Sequence, residues 1–120
     1  MPKSTEAMVS AFVLASVADY FKGISEVTRL QILQSLRSGP MNVLQLTEAT
    51  GLGQANLSKH LKMLTQAGIL SRQTKGTSAF YEIVDPLVVE FFDLACDRIT
   101  KRTLQQARSL SQFEDEISKF

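Results

Sequence analysis

The side chains best equipped for chemistry are four cations that lie close together in the chain. Lys59, Lys62, Arg72 and Lys75 all fall between Ala49 and Tyr81, a stretch with no Asp or Glu. From Glu82 to Asp97 the sign reverses: Glu82, Asp85, Glu90, Asp93 and Asp97 occur without a Lys or Arg. The net charge of +1 names no partner by itself. A near-neutral chain with one cationic region suits local contact with a polyanion; it is also compatible with a solvated surface whose charges are merely uneven. The only histidine, His60, has no nucleophile placed to use it, and there is no HExxH or glycine-rich cofactor loop. The chain is therefore not expected to be an enzyme or to carry a cofactor. With one cysteine, Cys96, neither an internal disulfide nor a CxxC metal or redox motif can form.

The elements that must position these cations follow from the apolar spacing. At 120 residues, 44% hydrophobic and 21% charged, the chain reads as one ordinary globular domain, 1–120. The apolar run Ala11 to Ala15 is too short for a signal peptide, and no stretch approaches ~18 apolar residues. A cytoplasmic protein with no membrane partner is expected. Thr5 can cap a first helix over 5–22, with Met8, Phe12, Ala15, Ala18 and Phe21 as its stripe and Gly23 as its end. Val9, Val13, Leu14 and Val17 widen that stripe. A helix apolar on more than one face has two things to cover, which favours a dimer contact over a monomer core. Ser25 caps a second helix with Val27, Leu30, Ile32, Leu33 and Leu36 on its apolar face, stopped by Ser38-Gly39-Pro40.

Residues 42–66 carry the outline of a helix-turn-helix. Asn42 and Gln45 have capping-box spacing; Val43, Leu46 and Ala49 face inward, and Gly51 ends the helix. Gly53 opens the next helix, whose buried stripe is Leu57, Leu61 and Leu64, and Gly68 closes it. Two strand candidates follow, 69–74 and 79–84, joined by Lys75-Gly76-Thr77-Ser78 at a hairpin tip, so 69–84 forms a wing. Asp85-Pro86 starts a last helical stretch, 86–120, lined by Val88, Phe91, Phe92, Ala95 and Ile99 and continued by Leu104, Ala107, Leu110, Phe113 and Ile117. The spacing allows one long helix or two with a bend near 100–103. The fold class implied is mainly α with a small β-hairpin, a winged helix-turn-helix.

This arrangement matches what duplex DNA requires. The major groove, ~12 Å wide, admits one helix whose N-terminal half meets base edges. Gln54, Ala55, Asn56 and Ser58 occupy that half, Lys59, His60, Lys62 and Gln66 follow, and Arg72, Lys75, Gly76, Thr77 and Tyr81 belong to the wing. These are the expected DNA-binding residues. A protein-interaction module without direct DNA reading is the competing interpretation, because a fold does not fix a function.

Three runs then carry a family resemblance. Ser25-Glu26-Val27-Thr28-Arg29-Leu30-Gln31-Ile32-Leu33 is similar to the D-P-T-R-L-x-I-L signature of the arsenical-resistance repressor (ArsR/SmtB) family. Asn56 to Leu64, followed by Ala67-Gly68-Ile69-Leu70, resembles its V-S-x-H-L-x-x-L-x-x-A-G-L-V recognition helix, and Phe80-Tyr81-Glu82-Ile83 resembles its second wing strand. The resemblance covers roughly residues 7 to 99. It implies a homodimeric repressor of bacteria or archaea, paired through its first and last helices and reading a palindromic operator in double-stranded DNA.

The departures concern sensing. Where many members place two cysteines in an E-L-C-V-C-D-L segment, this chain has Asn42 and Leu44. Where others place D-x-H and, ten residues on, H-x-x-E, it has Asp85-Pro86-Leu87 and then Arg98 and Lys101. Neither metal site is expected, and Asp85 is better read as a helix cap. A small-molecule or redox effector is left as the signal. Cys96 is the redox candidate, although the acidic run around it disfavours a thiolate and a small apolar filler is the plainer reading. Phe12, Phe21, Phe91 and Phe92 read as ordinary core in preference to an organic-ligand pocket.

Overall fold

The computed structural model describes residues 8–119. Among these described residues, five helices and three strands follow in the order α1 Ala11–Ile24, α2 Val27–Leu36, β1 Met41–Asn42, α3 Val43–Thr50, α4 Gln54–Gln66, β2 Leu70–Lys75, β3 Ser78–Ile83 and α5 Pro86–Ser118. Contacts group the chain into two units, one ending at Asp85 and one beginning at Pro86. Among the described residues, no helix is long and apolar enough to cross a membrane.

In the first unit, Ile24, Ile32, Leu33, Leu36, Leu46, Leu57, Leu61, Leu64, Ile69 and Leu70 are buried. Each of these side chains contributes about 1.5–3 kcal/mol through removal from water. α3 and α4 pack against each other and both pack against α2, so the buried leucines of α4 are held from two sides. The stops are local and specific. The Asn42 side chain accepts from Gln45 N at 2.8 Å and the Gln45 side chain accepts from Asn42 N at 2.9 Å, the reciprocal box expected from their spacing. Gly51 ends α3 at φ 74. At the end of α4, Ile69 N donates to Leu64 O at 3.0 Å and Gly68 N to Thr65 O at 3.1 Å, with Gly68 at φ 79. This is a Schellman motif, and both Leu64 and Ile69 are buried.

The hairpin pairs Lys75 with Ser78 across the two-residue turn Gly76-Thr77. Only Gly76 has positive φ, 64°, the sign pattern of a type II′ turn, which matches the natural twist of the strands. β3 is central, because β1 pairs with it in register Met41↔Tyr81 and Asn42↔Phe80. This third strand was not expected. Two residues after a proline carry no periodic signal, and β1 exists only because β3 offers it an edge.

Several boundaries and faces differ from expectation. α1 begins at Ala11, capped by Ser10, whose hydroxyl accepts from Val13 N at 3.2 Å; Met8 precedes it, and Thr5 lies outside the described residues. α1 runs past Gly23 to Ile24, which is buried, so continuing the helix anchors its end. Ser25 does not cap α2: its hydroxyl turns back to donate to Lys22 O at 3.4 Å, and Glu26 takes the N-cap position. Val27 is exposed, since at ~100° per residue it falls opposite Ile32, Leu33 and Leu36. Ala49 is exposed as well, leaving Leu46 as the buried residue of α3. The apolar stripe of α1 is not core either: Phe12 is 81% exposed, and Val13, Leu14, Val17 and Phe21 are exposed with it.

The second unit is one uninterrupted helix, α5, with no bend dividing it near 100–103. Leu87, Phe91, Leu94, Ile99, Leu104, Leu110, Phe113 and Ile117 are all exposed on it.

Candidate DNA interface

α4 presents two faces. Leu57, Leu61 and Leu64 are buried, and Gln54, Ala55, Asn56, Ser58, Lys59, Lys62, Met63 and Gln66 are exposed. Its first turn has no side-chain cap, because Gly53 stands at the N-cap. The amides of that turn keep free hydrogen-bonding capacity at the positive end of the helix, which suits a phosphate oxygen or a base edge.

The wing meets the other end of the same face. Lys62, Thr65 and Gln66 of α4 line a depression of about 290 Å³ together with Arg72 of β2 and Tyr81 of β3. Arg72 and Tyr81 are direct partners in the hairpin register, so the sheet fixes their spacing. Lys75, Gly76 and Thr77 form the exposed tip. The Lys75 ammonium stands 5.7 Å from the centre of the Phe80 ring, a cation–π contact that steadies it over β3. Of the residues expected to touch DNA, the fold thus gathers Lys62, Gln66, Arg72 and Tyr81 around one hollow. It also exposes Gln54, Ala55, Asn56, Ser58 and Lys59 along the helix.

His60 is placed differently, and its expected role needs correcting. It is only 5% exposed. Its Nδ1 accepts from Arg29 Nε at 3.3 Å, and its Nε2 lies 3.5 Å from a Glu26 carboxylate oxygen. The ring faces the start of α2, away from the exposed lysines. Because a guanidinium can only donate, Nδ1 must be the acceptor and Nε2 carries the proton. Arg29 does more than hold His60. Its Nη1 donates to Lys22 O and Gly23 O, both at 3.1 Å, its Nη2 contacts Met63 Sδ at 3.5 Å, and Glu26 lies 3.4 Å away. One side chain thereby joins the last turn of α1, the first turn of α2 and the middle of α4. Sequence reasoning missed this role. The available signals were the Glu26–Arg29 spacing of three and a histidine at the edge of a leucine stripe.

Asp85 accepts a hydrogen bond from the Tyr20 hydroxyl at 2.7 Å. Burial, first, and then the Asp85 hydrogen bond and charge push the Tyr20 hydroxyl up to about 12. The positions set against the family's metal-site motifs in the sequence carry no thiol or imidazole. The Asn42 oxygen is committed to the cap, Leu44 is exposed, and Lys101 pairs with Asp97 at 3.0 Å. Among the described residues, no group of three or more His, Cys, Asp or Glu side chains is arranged to hold a metal ion. Cys96 is free and exposed on α5. Phe12, Phe21 and Phe91 are exposed and are not the ordinary core expected of them.

Comparison with known proteins agrees with this geometry. Residues 26–72 match the family described as "Bacterial regulatory protein, arsR family". The HTH-type transcriptional regulator NmtR of Mycobacterium tuberculosis is 35% identical over 81 residues, covering 68% of this chain and 68% of that protein. Among solved structures, the AntR antimony-specific transcriptional repressor superposes with a TM-score of 0.73 at 30% identity, covering 81% of this chain and 88% of that one. A homodimeric winged helix-turn-helix DNA-binding domain from Mycobacterium bovis gives 0.68 at 29% identity, covering 83% and 94%. With its winged helix-turn-helix, its cationic face and these relatives, the chain belongs to the ArsR family of DNA-binding transcriptional regulators.

Proposed function

We propose that two copies of this chain pair and repress transcription by occupying a palindromic operator in double-stranded DNA in the cytoplasm. The observation that carries this reading is the convergence of Lys62 on α4 and Arg72 on the wing at one hollow. They lie within a stretch, 49–81, that contains no carboxylate. In this reading α4 enters the major groove with Gln54, Asn56 and Ser58 toward base edges. Lys59 and Lys62 meet phosphates, and the Arg72–Lys75 arm follows the backbone. The exposed apolar face of α1 supports pairing, since Phe12, Val13, Val17 and Phe21 otherwise stand in water. The homodimeric Mycobacterium bovis domain supports it too. A twofold axis would set the two α4 helices on half-sites ~34–36 Å apart.

The test is fluorescence anisotropy with fragments selected from the source genome. A saturable, salt-sensitive complex of one dimer per palindrome is expected, and it should be lost in the Lys59→Ala, Lys62→Ala, Arg72→Ala triple variant. Undiminished specific binding by that variant would remove the assigned surface.

A further inference from the structure

The chain has one histidine, and the fold buries it. His60 Nδ1 accepts from Arg29 Nε at 3.3 Å, and its Nε2 lies 3.5 Å from one Glu26 carboxylate oxygen. The other oxygen of that carboxylate stands 3.4 Å from Arg29 Nη2. Arg29 also donates to the Lys22 and Gly23 carbonyls at the end of α1. The imidazole is thus the point at which α4 joins α1 and α2. The charged side chains on the elements packed against α4 are Asp19 and Lys22 of α1, Glu26 and Arg29 of α2, Glu48 of α3, and Arg72 and Lys75 of β2. Of these, Glu26 and Arg29 meet the ring. The others are exposed, and among the described residues none is hydrogen-bonded or ion-paired to it. On α4 itself, Lys59 and Lys62 are exposed as well.

We propose that His60 makes operator binding sensitive to acid: a proton taken up at Nδ1 displaces the Arg29 bond and loosens α4 from α1 and α2. The proposal rests on the DNA-binding reading above. Nδ1 can accept from Arg29 only while it carries no proton, and a guanidinium has no lone pair with which to accept in return. Protonation therefore replaces a donor and its acceptor by two N–H groups facing each other on two cations. Glu26 gives the imidazolium a partner, so the buried charge does not stand alone, but it is the same carboxylate that now faces Arg29. Histidine is the side chain used for such switches because imidazole charge ordinarily changes between about pH 5 and 8. The direction of the effect is diagnostic. Acid makes a protein more cationic, which alone strengthens its hold on a polyanion. Weaker binding in acid requires a specific cause, and the Arg29–His60 bond supplies one.

Operator affinity is measured by anisotropy at about pH 7.5 and about pH 5.5, at one ionic strength. The full chain without a tag is compared with His60→Asn, whose side-chain oxygen can accept from Arg29 and takes up no proton. Each chain is judged by the ratio of its own two affinities. One proton per protomer can change affinity by up to about tenfold per pH unit, and a loss of about tenfold across the interval is expected in the parent chain. In His60→Asn the loss should stay within about twofold. Because the chain has one histidine, nitrogen NMR reads its ring directly in the parent chain. At the higher pH the ring should be the Nε2–H tautomer, and its titration should coincide with the fall in affinity. Parent affinity that holds or rises in acid, an equal loss in His60→Asn, or an Nδ1–H tautomer would each overturn the proposal and leave the DNA-binding reading standing. If His60→Asn does not fold, the parent spectrum decides: a ring that stays neutral while affinity falls overturns the proposal. A parent chain that binds no duplex at either pH would overturn the DNA-binding reading, and the proposal with it.

Discussion

Arg29 Nε and His60 Nδ1 meet at 3.3 Å across thirty-one positions of sequence. The bond ties the first turn of α2 to the middle of α4. The histidine is therefore held inside the fold, where it helps to place α4, and stands apart from the exposed face that carries Lys59 and Lys62.

Replacing Arg29 by Ala should leave His60 Nδ1 and the Lys22 and Gly23 carbonyls without their donor. A lost hydrogen bond to a charged group costs about 1.5–3 kcal/mol, and several are lost together. A loss of roughly 2–4 kcal/mol in urea denaturation is expected. Arg29→Lys should recover little of it, because an ammonium cannot hold the two carbonyls and the imidazole in one plane. Full rescue by Lys would reduce the network to a simple charge.

Lys62→Ala removes a cation from the rim shared with Arg72. If Lys62 meets a phosphate, operator affinity should fall by a similar factor for all bound sequences. The slope of log affinity against log salt should also shrink by about 1. Ser58→Ala, by contrast, should relax preference at one base position with an unchanged salt slope. Anisotropy titrations at three salt concentrations distinguish the two, and a salt slope unchanged in Lys62→Ala would place that lysine away from the backbone.

Much of this fold was legible because its stops are chemical. Asn42 with Gln45, Gly51, Gly68 and the Lys75–Ser78 turn each announce a boundary through a side chain or a left-handed glycine, and the structure uses all of them. What escaped notice depends on partners distant in sequence. Nothing local to Met41 marks it as a strand, because its pairing is with Tyr81. Ser25 resembles a cap, but its hydroxyl serves the end of α1 instead. His60 looks like an exposed DNA contact between two lysines until Glu26 and Arg29, at the start of α2, cover it.

Asn42→Ala should remove one side of the capping box and leave Gln45 N without its acceptor. The usual cost of losing such a cap is about 1 kcal/mol, within a range of 0.5–2. Asn42 is also paired with Phe80 in the sheet through its backbone, which the substitution spares. Chemical denaturation should therefore show a modest loss in midpoint with an unchanged slope. Asn42→Asp should restore the cap, since its carboxylate accepts the same amide and suits the positive end of α3.

The Tyr20 hydroxyl gives the fold an alkaline limit. Its pKa is raised from 10.0 to about 12 by burial and by Asp85, so the folded chain favours the neutral phenol. A group whose pKa is higher when folded stabilises fully below its unfolded value and loses that contribution as pH rises through its folded value. The loss should therefore run from about pH 10 to pH 12. Ionisation would place a phenolate 2.7 Å from the Asp85 carboxylate oxygen that now accepts its proton. Tyr81→Phe leaves Tyr20 as the single tyrosine, and its tyrosinate absorbance should then titrate near 12. Asp85→Asn should lower that midpoint only partway, because burial is the larger cause and persists. Tyr20→Phe should abolish the dependence of stability on pH in this window. A midpoint that stays at 10.0 in the Tyr81→Phe chain would mean that Tyr20 is neither buried nor bonded to Asp85 in solution.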